Sequence, residues 1–102
     1  SHQPNAAYRG HVKVVRLLLD HGVGVNFYNS RGTTALFNAA HWGHLEIVKL
    51  LLDRGASTPF TYSESSDFFI MANTEKDSTK KANYEKIIAL LSKNNILHKH
   101  YL

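Results

Sequence analysis

The chain has 102 residues, 43% hydrophobic and 20% charged, which is ordinary globular usage and excludes collagen-like and wholly disordered classes. It contains no cysteine, so a disulfide scaffold, a thiolate nucleophile and Cys-ligated zinc or iron–sulfur sites are excluded. The formal charge of +4 is spread out, with six Lys/Arg against three Asp/Glu in residues 1–59 and six against five in residues 60–102. Because no basic run exceeds Lys80-Lys81, the focused charge of a nucleic-acid footprint is missing and that partner is disfavoured.

No apolar run approaches the roughly 20 residues of a membrane span, and the first residues show no basic segment followed by an apolar stretch. The expectation is a monomer without a membrane partner, in a reducing intracellular compartment, cytoplasmic or nuclear.

In chain order, the first recognisable feature is Asn5-Ala6-Ala7, followed by a block over residues 10–22 that reads GHVKVVRLLLDHG. Both recur 33 residues later, as Asn38-Ala39-Ala40 and as GHLEIVKLLLDRG over residues 43–55. So many coincidences at one offset make the chain a tandem repeat. Between the copies, Gly22, Gly24 and the polar residues 26–32 predict a turn-forming connection.

Thr34 then caps a short helix over residues 35–42, which Gly43 ends in a left-handed conformation. A second helix over residues 44–54 carries Leu45, Val48, Leu51 and Leu52 at helical spacing, with Ile47 and Leu50 widening its apolar face and Gly55 closing it. Small Ala39 and Ala40 let neighbouring helices approach closely. A helix pair with apolar residues on both sides cannot be satisfied alone and must stack.

These residues resemble the ankyrin repeat, whose 33-residue units join two antiparallel helices through a hairpin-like turn. The family's Thr-Pro-Leu-His helix start stands here as Thr34-Ala35-Leu36-Phe37, after Gly32 and before Ala39-Ala40, Gly43-His44, the Leu50-Leu51-Leu52 block and Gly55-Ala56. The resemblance covers residues 5–57 and implies an all-α ankyrin-repeat solenoid of helix-turn-helix units. Two departures stand out: Ala35 gives up the preorganisation of proline, and Phe37 replaces a histidine that ties the turn down in the family, which predicts a looser hairpin. By the same resemblance His11 and His44, each following a glycine, are structural histidines that bond backbone between units.

After Thr58 a decayed third copy is traceable. At the 33-residue offset, residues 65–72 align with residues 32–39, which places Asp67 where Thr34 was, as the helix cap. Residues 83–94 resemble the second helix at an offset of 39, which requires an insertion near residues 74–82, expected to be a mobile loop. Asn94 takes the place of the terminating glycine. The division is then one ankyrin-repeat domain over residues 1–102: a partial repeat at 5–26, a complete one at 27–59, and a degenerate, more polar capping repeat at 60–102.

Catalysis finds no support in the motifs. Seven histidines invite a metal reading, but Gly43 separates His41 from His44, and His98 and His100 lie in a terminus expected to fray, with no third ligand in reach. Serine-nucleophile elbows and phosphate-binding glycine loops are missing. The expectation is a chain that is not an enzyme and holds no metal or cofactor.

The resemblance places partner contacts at hairpin tips and at exposed positions of each first helix. Residue by residue these are Tyr8, Arg9, Tyr28, Ser30, Arg31, Thr33, His41 and Trp42, with third-unit tips near Thr61, Ser63 and Glu64. Tyr, Trp and Arg are the types enriched in binding hot spots. Phe27, Phe37 and the Phe68-Phe69-Ile70-Met71 run are read as core. The sequence thus points to a module that binds a protein or peptide through its concave face and hairpin tips. The competing readings are a structural or regulatory segment of a larger protein and, less favoured, a polyanion binder.

Overall fold

The computed structural model describes residues 11–28 and 31–98. Five helices run through them: α1 (Val12–Asp20), α2 (Ala35–His41), α3 (Leu45–Asp53), α4 (Tyr62–Thr74) and α5 (Ser78–Lys93). They form two layers. In one, α3 packs against both α1 and α5; in the other, α2 packs against α4; and α2–α3 and α4–α5 pair across the layers.

The core follows the repeat arithmetic. Val15 of α1 and Ile47, Val48 and Leu51 of α3 are fully buried, as are Phe68 of α4 and Ile87 and Leu91 of α5. Ala39 and Ala40, also fully buried, supply the close approach expected of small residues between α2 and its neighbours. Thr34 caps α2 by accepting a 3.1 Å hydrogen bond from the Phe37 amide.

Four of the five helices share one ending. After α3, the Ala56 amide donates to Leu51 O at 2.9 Å and the Gly55 amide to Leu52 O at 3.0 Å, and equivalent pairs follow α1, α2 and α5. The turn residue needs positive φ. Gly43 supplies +75° after α2, and Asn95 supplies +58° after α5. The left-handed residue after α5 is therefore Asn95; Asn94, expected from sequence, sits at φ −99° as the preceding cap. Gly22 and Gly55 are 33 residues apart, whereas Gly55 and Asn95 are 40 apart.

That lengthened unit departs from expectation in where its extra residues go. Only residues 75–77 of the stretch 74–82 lie outside helices: α4 continues to Thr74 and α5 begins at Ser78, capped by Asp77, whose carboxylate accepts from the Thr79 and Lys80 amides at 2.9 and 3.0 Å. The additional chain is helical, with 13 and 16 residues in α4 and α5 against 7 and 9 in α2 and α3. Nor does Asp67 cap anything, since it lies exposed inside α4. The start is Thr61, which accepts from the Glu64 amide while the Glu64 carboxylate accepts from the Thr61 amide, a reciprocal capping box. The connection before α4 is only residues 56–60, so Thr61, Ser63 and Glu64 sit at the first turn of a helix and not at a hairpin tip.

Further contacts close the third unit on itself. The Phe60 amide donates to Ile96 O at 2.8 Å and the His98 amide to Ser65 Oγ at 3.0 Å, with Ser65 fully buried and Ile96 and Leu97 in the core. His98 is thus tied down, contrary to the frayed end expected of it; His100 lies outside the described residues. Within the apolar run, Phe68 is fully buried and Phe69 and Met71 pack against the core, but Ile70 is 59% exposed because its position on α4 faces outward.

Between units, Asn26 accepts from the Ser57 amide at 3.0 Å and Arg54 pairs with Asp20 at 2.7 Å, an exposed ion pair worth about 0–1 kcal/mol. The capping box gives a direct check on the helix start. Thr61→Ala should cost about 1 kcal/mol by chemical denaturation, whereas Asp67→Ala should stay within about 0.5 kcal/mol; the reverse ranking would restore the start inferred from the 33-residue offset.

Candidate functional site

The surface singled out by sequence is built where the connection before α2 meets the outer side of that helix. The Ala35 amide donates to Phe27 O at 3.2 Å, and an antiparallel bridge joins Tyr28 to Thr34. A proline at position 35 has no amide hydrogen to donate, so the departure from the family pattern supplies a bond that closes this turn. Phe37, expected to loosen it, is buried and meets Phe60 edge-to-face with ring centroids 5.1 Å apart. Both aromatics read as core behave so, with Phe27 partly buried against the same cluster.

Above Phe37 lies a shallow recess of about 170 Å³ lined by Arg31, Thr33, Phe37, Asn38, His41 and Trp42. Four residues expected from sequence, Arg31, Thr33, His41 and Trp42, therefore share one cavity. Trp42 is 54% exposed and Arg31 is exposed, while Thr33 and His41 are half-buried. Tyr28 is also exposed, at 56%, but it stands at the bridge opposite Thr34 and does not line the recess. Tyr8, Arg9 and Ser30 lie outside the described residues.

Sequence reasoning missed Asn38, which entered only as part of the Asn-Ala-Ala triplet that recurs at the 33-residue offset. It stands one helical turn before His41 and Trp42, the spacing that puts side chains on one face. Asn38 is 3% exposed; its Oδ1 accepts from the Thr33 hydroxyl at 3.3 Å, while its Nδ2 is buried without a hydrogen-bond partner. The same is true of His41 Nδ1. Two buried polar atoms without partners beside one recess are unusual, since each such atom costs about 1–3 kcal/mol.

The floor is held from behind by α5. Tyr84 is buried, donates its hydroxyl to His41 O at 2.7 Å, and lies against Gly43, where a Cβ would come within 3.6 Å of the ring. Burial, and then the charge of Glu75, raise the Tyr84 phenol above its usual range. The His41 ring meets Phe37 at a tilt and Trp42 edge-to-face, with centroids 5.6 and 5.3 Å away. His44 and His11 precede α3 and α1 as backbone caps, and the ring of neither caps its own helix.

Among the described residues, no group of three or more His, Asp or Glu is arranged to hold a metal ion. No helix among them is long and apolar enough to cross a membrane. The described residues form a two-layered stack of helices that presents a small polar and aromatic recess. The family model described as ankyrin repeats (3 copies) matches residues 4–61, more than half of the chain, and the chain belongs to the ankyrin-repeat family. Ankyrin repeats are, as a class, non-catalytic modules of protein interaction. The match ends at the cap of α4, so the lengthened third unit lies beyond it. No curated protein matches the chain.

The histidine at this site has a pH consequence. Burial lowers the His41 pKa below its ordinary 6.5, against an opposing pull from the negative charge of Asp67. A base whose folded pKa is depressed leaves the unfolded chain to take up the proton first, so stability is full above pH 6.5 and declines as the pH falls below it, until the folded ring also protonates. His41→Gln should flatten that decline in thermal melts recorded between about pH 5 and 8. An unchanged slope would show that the decline does not come from His41.

Proposed function

We propose that this chain binds a protein or peptide through its concave face and hairpin, with Tyr28, Arg31, Thr33, His41 and Trp42 as contacts and with Tyr8, Arg9 and Ser30 extending the same repeat positions. The observation that supports this reading most is the shared recess of Arg31, Thr33, His41 and Trp42. Binding there is non-covalent: a large, half-exposed indole gains the most from desolvation, and a guanidinium pairs with carboxylates or carbonyl oxygens. In this reading residues 1–102 are one ankyrin-repeat stack with units at 5–26, 27–59 and 60–102, and the last unit closes it. Its self-tied ends, through Phe60 with Ile96 and Ser65 with His98, are what a terminal unit needs.

The exposure of the two aromatic anchors separates binding from folding. Tyr28→Ala with Trp42→Ala should remove capture of the partners retained from native extract by the wild-type chain, and should weaken binding of those partners once purified by about a hundredfold. The melting temperature should fall by no more than a few degrees, since exposed substitutions stay near 0.5 kcal/mol each. A severely destabilised double variant that still retains its partners would overturn the reading.

A further inference from the structure

The recess beneath Trp42 holds more chemistry than a generic contact surface requires. Its volume of about 170 Å³ falls below the roughly 300 Å³ at which drug-sized ligand sites begin. It suits one side chain of a partner segment. Three of the groups around it are donors or can act as donors: Asn38 Nδ2 has no acceptor, His41 Nδ1 has no partner, and Arg31 brings a guanidinium to the rim, while the Thr33 hydroxyl already donates to Asn38 Oδ1. Keeping Asn38 at a position that is 3% exposed costs stability that an apolar residue of the same size would not. An acceptor arriving with the partner offsets that cost.

We propose that this recess receives the carboxylate of a glutamate or aspartate side chain from an acidic partner segment, which accepts hydrogen bonds from Asn38 Nδ2 and His41 and pairs with Arg31. The proposal rests on the concave-face reading above and specifies which partner side chain it takes. Charge decides for a carboxylate over a neutral amide. Arg31 stands on the rim, and residues 1–59 carry twice as many basic as acidic residues. The opposing charge is Asp67 on α4, whose field reaches His41. Because Asn38 Nδ2 and His41 Nδ1 are themselves withdrawn from solvent, a carboxylate reaches them only when the side chains that cover them shift.

These two charges make the proposal directional. In a titration of the full 102-residue chain followed by amide NMR, N-acetyl-glutamate α-amide should shift the Asn38 side-chain resonances saturably in the millimolar range. The matched glutamine compound should shift them at least about tenfold more weakly. Asn38→Leu, followed at the His41 and Trp42 backbone amides, should lose about tenfold or more in affinity while its melting temperature holds or rises, an opposition that a merely structural asparagine would not produce. Arg31→Gln should weaken the response, and Asp67→Asn should strengthen it. An equal response to the glutamine compound, no saturable shift in the wild-type chain, or weaker binding in Asp67→Asn would each overturn the carboxylate assignment. If partner capture is lost in the Tyr28/Trp42 double variant while the glutamate compound gives no shift, the concave-face reading stands and the carboxylate assignment alone fails.

Discussion

The structure depends on α3 being buried from two sides. A single amphipathic helix has one apolar stripe, but Ile47, Val48, Leu50 and Leu51 spread around enough of α3 to require neighbours on both flanks. α1 and α5 supply them, and α2 covers the remaining side. Since apolar area removed from water is the dominant stabilising term, a unit of this kind has no stable existence apart from its neighbours. The short α2, with 7 residues, is similarly dependent: it is far below the length at which an isolated helix holds in water, and its fully buried alanines exist to be packed against.

That dependence links the recess to the far end of the chain. The last turn of α2 carries His41 and Trp42, and it is pinned by Tyr84, a residue 43 positions away in α5. Phe60, which opens the third unit, forms the other support by packing edge-to-face on Phe37. The third unit thus fixes the helix end on which the candidate contact residues sit. The elongated α4 and α5 give it the surface to do both, and Asp67 on α4 adds a charge that His41 feels.

Stability alone does not account for one residue. Asn38 is nearly as buried as the alanines beside it and lines a recess, yet its amide nitrogen has no acceptor. A fold selected only for stability has no use for that arrangement.

The sequence by itself determined the repeat, the helices α1, α2 and α3, and the glycine-terminated turns between them. Those features are local: a capping threonine, apolar residues at helical spacing and a residue able to take positive φ are each legible within a dozen positions. Four of the candidate contact residues were legible too, because repeat position alone brings Arg31, Thr33, His41 and Trp42 to one face. The third unit was not. Counting from a fixed offset placed its cap at Asp67 and its extra residues in a loop. The signal that ran the other way was the Thr61-x-x-Glu64 capping box, which sits earlier than the offset allows. Only the tertiary structure decided that Tyr84 reaches back to His41, that Phe37 finds Phe60, and that Asn38 is left without an acceptor. Each of these joins side chains from different elements or records a missing partner, and neither distance nor absence is written in periodicity.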